Sequence, residues 1–259
     1  MTASRSDAHA NGGGPVRGYG PGRLAQPFPY WDRRRLMGEW TVEESVQRIV
    51  HYKWAEQHLS AAIGGWVATI PELDVKAMLG PHCYQHAWHA DLWRQRLPEL
   101  REKDEARAEP PNDAFIEFMD ELTSPEAADA TIEKLVGIYR VLVPHLLAVY
   151  SYHQRVTSDI VDAPTVRILK FMIDDDIEQL ICGEMMVQDL ARTAKLRTRA
   201  GKWQTHLDVL LVKAGGVAGE ETLGGRPRIG MPPRAVLGAA LRQRRQAASA
   251  ASAGGVVAG

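Results

Sequence analysis

Between Leu79 and Trp93 the chain sets His82, His86 and His89 at spacings of three and four residues. On an α-helix those spacings stack all five side chains on one face. A face bracketed by Leu and Trp turns inward, and a buried polar group without a partner costs on the order of 1–3 kcal/mol. Three imidazoles on one such stripe therefore need partners, a metal or water. The chain must fold as helices around a polar interior.

The rest of the pattern supplies those helices. Thr41-Val-Glu-Glu44 is a capping box, opening a first long helix that runs to about Ala68. Its stripe of Ile49, Tyr52, Glu56, Leu59 and Ile63 sets one carboxylate at the centre of an apolar face. A small rotation, with Glu56 paired to Lys53 at the edge, is the alternative. Ile70-Pro-Glu-Leu73 leads into the histidine helix, where Gly80-Pro81 predicts a kink or a restart and Pro98 a stop. The charged stretch 99–112 reads as a loop or a solvated extension, and Phe115–Met119 as part of a short amphipathic helix ending near Thr123. Ser124-Pro125-Glu126 predicts the start of a third long helix, running to about Thr157 and kinked by Pro144. Its stripe is Leu135, Ile138, Leu142, His145, Val149 and Tyr152. Asp162-Ala-Pro164 opens a fourth, reaching about Thr193, with Leu169, Met172, Asp176, Gln179 and Gly183 on one face. On that helix Asp174, Asp175 and Glu178 read as solvent-facing. A fifth, from about Lys202 to Val212, carries Trp203, Leu207, Leu210 and Leu211 and reads as a cover over the bundle.

Connection lengths set the architecture. The first and second long helices are joined briefly, as are the third and fourth, which makes two antiparallel hairpins. The segment from Pro98 to Ser124 carries a helix of its own and is long enough to cross over. The expected fold is all-α, a four-helix bundle with that long crossover and a C-terminal covering helix. Residues 1–35 are Gly- and Pro-rich and read as a disordered or extended arm, 36–214 as the bundle, and 215–259 as a largely disordered low-complexity tail. Arg33–Arg35 is read as a solvated face.

Composition narrows the partners. A net charge of −1 over 259 residues gives no electrostatic case for nucleic acid or an anionic membrane. No apolar run has the length of a membrane span, and the N-terminus lacks the apolar core of a signal peptide. Cys83 and Cys182 lie in apolar helical patterns, as expected of inert packing thiols in a reduced, cytoplasmic compartment. No nucleotide or flavin motif is present. Trp54, Trp66, Trp88 and Trp93 read as core or as the interface of a homodimer.

In carboxylate bundles that bind two irons, two helices each supply a Glu and the other two each supply Glu-x-x-His. At His86-Ala-Trp-His89 with its following Ala-Asp-Leu-Trp-Arg-Gln-Arg-Leu-Pro-Glu-Leu-Arg, and at Asp162-Ala-Pro-Thr with Asp175-Asp176-Ile-Glu-Gln179 and Gly183, the chain resembles the ferritin-like superfamily, in bacterial proteins of unassigned role. The resemblance covers about residues 41–195. It implies a ferritin-like bundle, a homodimer, and a metal site of Fe or Mn on Glu56, His86, His89 and Asp176, with His82 and Gln179 beside them. The departures are informative. Neither candidate helix carries Glu-x-x-His: His86 stands at the Glu position of one, and Asp176 and Gln179 replace Glu and His on the other. The third long helix offers His145, Tyr152 or His153 in place of a Glu. The full set of carboxylates for two cations is missing.

Three functions are compatible with this pattern. In one, the old site is a buried hydrogen-bond network and the protein is a non-catalytic binding or scaffolding module. In another, Glu56, His86, His89 and Asp176 hold one ion with open positions, as two His and one carboxylate do in non-haem oxygenases. That protein would be an oxidoreductase on a small organic substrate, with Tyr152 and His145 as catalytic candidates. In the last, a His–carboxylate pair acts as general base without metal.

Overall fold

The computed structural model describes residues 38–219. The N-terminal arm and the tail beyond residue 219 lie outside the described residues. Among those described there are six helices and no strand: α1 (Val42–Thr69), α2 (Leu73–Glu99), α3 (Asp113–Thr123), α4 (131–156), α5 (Ala163–Leu190) and α6 (Ala194–Lys213). No helix among them is long and apolar enough to cross a membrane.

Local chemistry places the ends. Thr41 caps α1 through a complete capping box with Glu44, Asn112 caps α3, Asp162 caps α5 and Thr193 caps α6. The apolar stripes then choose partners. α1 lies along α2 and α4 along α5 as antiparallel hairpins, α2 meets α5 across the bundle, and α3 and α6 cover the first half of α4. Ile49, Tyr52, Leu59, Ile63, Leu79, Trp93, Leu169 and Met172 are all completely buried.

Two buried lysines fasten the connections. Lys53 donates to the carbonyl oxygens of Glu105 and Arg107, fixing the crossover against α1. Lys134 donates to those of Glu126 and Ala127, holding the approach to α4. Arg96 ties α2 to the head of α5 through Thr165 Oγ1 at 2.9 Å, Asp162 Oδ1 at 2.5 Å and Glu99. Asp162 thus serves both a helix cap and a buried guanidinium. Asp162→Ala is expected to lower unfolding free energy by about 2 kcal/mol, measured by denaturant titration, against about 1 kcal/mol for Thr41→Ala.

The helices depart from the sequence expectation in four places. α2 runs through Pro81 and Pro98 as one helix. The third long helix begins at Thr131 and not at Ser124, after a 3-10 turn at Ala128–Ala130. Lys134 explains this, since it draws the carbonyls of residues 126 and 127 inward and keeps them out of a helical ladder. α6 starts at Ala194, earlier than expected, because Thr193 provides the cap. Finally, α4 answers Pro144 with a π turn at Gly137–Leu142, where the Val143 amide reaches the Ile138 carbonyl. Proline removes one amide from the ladder, and the wide turn takes up one extra residue in the place of a sharp bend. Beyond Lys213 the chain stays on the body, with Val217 and Ala218 buried.

Candidate metal centre

α1, α2, α4 and α5 each send polar side chains to one buried point. Glu56, His86, His89, Asp176 and Gln179 are all inaccessible to solvent. His86 Nδ1 lies 2.6 Å from Glu56 Oε2, and His89 Nδ1 lies 3.6 Å from the same oxygen. One ligand atom from each of Glu56, His86 and His89 falls within 4.8 Å of the others.

The outward atoms are all occupied. His86 Nε2 donates to Gln179 Oε1 at 2.8 Å, and Gln179 Nε2 donates in turn to Gln85 Oε1 at 3.0 Å. His89 Nε2 donates to Asp175 Oδ2 at 3.1 Å. The Tyr150 hydroxyl donates to Glu56 Oε1 at 2.6 Å. Each imidazole is therefore oriented from behind and presents Nδ1 to a common centre, and the Glu56 carboxylate presents one oxygen there. Asp176 has neither oxygen bonded to any partner, and His89 Nδ1 makes no hydrogen bond.

Charge follows from this arrangement. Burial pushes the Glu56 carboxyl up, but the His86 and His89 imidazoles beside it outweigh burial and hold it below its ordinary value. Burial pushes His89 down, yet Glu56 and Asp175 carry it up to about 10. Asp176 is raised well above the carboxylate range, first by burial and then by the Glu56 charge. Tyr150 is raised by the same two causes and remains a phenol, a hydrogen-bond donor.

The other residues expected at the site lie elsewhere. His82, one turn before His86, bonds through Nδ1 to the Tyr139 hydroxyl at 2.6 Å, and burial lowers it to about 4. His145 accepts the Val217 amide at 2.9 Å through Nε2, under a turn where Gly216 has a positive φ and leaves no room for a Cβ. Tyr152 lies on the outer face of α4, with its hydroxyl 3.3 Å from Glu39. Glu56 pairs with imidazoles and not with Lys53, which is occupied by carbonyls. Two participants were not anticipated. Tyr150 comes inward because of the π turn, and Asp175, read as solvent-facing, is in fact half-buried against His89.

Comparison with protein-family models, with curated proteins and with solved structures found no match to this chain. The chemistry of the centre therefore rests on its own geometry: the two imidazoles of His86 and His89 and the Glu56 carboxylate form a buried cluster that could hold a metal ion.

Proposed function

We propose that this chain is a metal-binding bundle of ferritin-like topology, which holds one divalent first-row ion on His86 Nδ1, His89 Nδ1 and Glu56 Oε2 with Asp176 as the further carboxylate. The observation that carries this reading is that the outward ring nitrogens of His86 and His89 and the outer oxygen of Glu56 are each tied from behind, while His89 Nδ1 and both Asp176 oxygens beside them have no partner. Metal-bound histidine characteristically donates its other ring N–H to a carboxylate or carbonyl oxygen, which fixes tautomer and direction. Asp175 and the Gln179 amide stand in those places, and Tyr150 does the same for Glu56. Two carboxylates balance a divalent charge, and mixed nitrogen and oxygen ligands suit Fe or Mn. Iron in such a ligand set supplies one-electron and dioxygen chemistry, which makes an oxidoreductase the enzyme class to assay first.

A second reading, the sealed network of a binding or scaffolding module, is favoured by the 2.6 Å contact between His86 and Glu56. A proton there can do the work of an ion.

Metal analysis of protein purified without a chelating tag separates the two. About one equivalent of Fe or Mn is expected per chain, absent from His86→Ala/His89→Ala while the helical signal persists. Loading the stripped protein should release protons, because ligand nitrogens must shed theirs. Asp176→Asn should weaken affinity by about 10–100-fold, the scale seen when a carboxylate around a metal is lost. Protein that is metal-free and takes up no Fe(II) or Mn(II) would leave the sealed network.

A further inference from the structure

One turn and two turns before Glu56 on α1 stand Tyr52 and Arg48, and they begin a second buried polar group. Arg48 is only 6% exposed, yet its Nε and Nη1 have no hydrogen-bond partner, and among the described residues it forms no ion pair with a carboxylate. Its guanidinium sits 3.9 Å from the ring centre of Trp40. A cation–π contact recovers only a fraction of what a buried charge loses on leaving water. Other buried cations are treated differently here. Arg96 has three partners, and Lys53 and Lys134 each have backbone carbonyls.

The groups around Arg48 share its deficit. The Tyr52 hydroxyl has no partner, and neither ring nitrogen of His153 has one, although both residues are completely buried. The three belong to one cluster: the His153 ring centre lies 4.6 Å from Trp40 and 5.7 Å from Tyr52. The guanidinium can only donate, the phenol and the neutral imidazole each carry a donor of their own, and no carboxylate of the described residues accepts from any of the three. Buried donors on this scale are normally satisfied. Trp40 also forms part of the wall of a groove of about 620 Å³ at this end of the bundle, with Ser45, Gln47, Val156 and Thr157.

We propose that Arg48, Tyr52 and His153 form an anion site that takes a carboxylate or inorganic oxyanion. Its occupant supplies the acceptor oxygens and the negative charge that the cluster lacks. This site is separate from the metal centre and does not depend on a metal being bound. The groove beside Trp40 gives an anion in solution its approach.

The test compares melting of the full-length protein in sodium acetate and sodium phosphate with melting in sodium chloride at equal ionic strength. At saturation the two oxyanions are expected to raise Tm by about 5 °C or more over chloride. Arg48→Met should abolish the response and, in chloride, melt no lower than the wild type, because it removes an uncompensated charge. Tyr52→Phe keeps the ring and removes one donor, so the half-saturating anion concentration should rise about tenfold. The assignment is overturned if the wild type ignores acetate and phosphate, or if the response persists in Arg48→Met.

Discussion

Acidifying the metal-stripped protein from pH 7 is expected to unfold it cooperatively, with a midpoint near pH 5 set by histidines outside the metal cluster. Burial pushes His51, His82 and His145 down to about 4, and His153 down to about 3, so all four are neutral in the folded protein. Arg48 adds to the effect at His51 and His153, and His86 at His82. In the unfolded chain each returns to its ordinary value of 6.5 and binds a proton. Between those limits the unfolded state holds more protons, so stability falls as pH falls. Each such proton is worth about 1.4 kcal/mol per pH unit; Asp176, whose raised value makes the folded state hold a proton the unfolded chain releases, offsets one of the four, which leaves about 4 kcal/mol per unit. A domain stable by about 5–15 kcal/mol is exhausted within a few units. His89 does not oppose this. Its raised value makes its contribution complete below 6.5 and lost only as pH rises through about 10. Glu56, depressed, withdraws its contribution only below the ordinary carboxylate value of 4.5. Helical circular dichroism against pH, with proton uptake on unfolding, checks the slope. His145→Gln, whose amide oxygen can still accept from Val217, should reduce the uptake by about one proton. Persistence of the fold at pH 4 would show that these histidines are not neutral in the native state.

Gly183→Ala is expected to cost about 3 kcal/mol or more, unusually much for one methyl group. A Cβ at Gly183 would lie 2.0 Å from Tyr139 Cγ and 2.4 Å from both Cδ atoms, inside the ring's contact surface. Tyr139 cannot step aside, being completely buried on the π turn with its hydroxyl held by His82. The backbone of α5 therefore has to retreat from α4. For a domain of this size the loss corresponds to a fall in Tm of roughly 6–12 °C. The cause is separable from any intrinsic effect of glycine. Alanine favours helix by about 1 kcal/mol, so without the ring the substitution should stabilise. In a Tyr139→Ala background Gly183→Ala should be neutral or favourable, a coupling of several kcal/mol in a double-mutant cycle. A neutral Gly183→Ala in the wild type would show that the two helices do not approach so closely.

Much of the bundle was legible because α1, α2 and α5 keep an unbroken period. Glu56, His86, His89, Asp176 and Gln179 fall where a straight helix puts them, and the caps at Thr41 and Asp162 are local signals read locally. α4 was legible only up to its proline. Ile138, Leu142 and Val149 of the expected stripe are buried, but beyond the proline Leu146, Tyr150 and His153 turn fully inward where His145 and Tyr152 were expected. The π turn absorbs one residue ahead of this stretch, and Tyr150, beside the expected Val149, is the tyrosine that reaches Glu56, while Tyr152 faces Glu39. Asp175 was hidden for a different reason. A half-buried carboxylate one position off a stripe looks like any solvent-facing acid until the helix opposite is in place. The isolation of Arg48 is likewise a property of what surrounds it in space, and no spacing encodes it.

Beyond the π turn the site is sensitive to length as well as to composition. Loss of one codon within 137–142 would remove only the residue that the turn absorbs, whereas loss of one codon within 146–149 would leave every candidate ligand in the gene, yet rotate the rest of α4 by about 100° relative to the first half. Tyr150 and His153 would leave the interior, and Glu56 would lose the hydroxyl that holds its outer oxygen. A catalogue of substitutions would record no change at the centre. The larger alteration would be a gap.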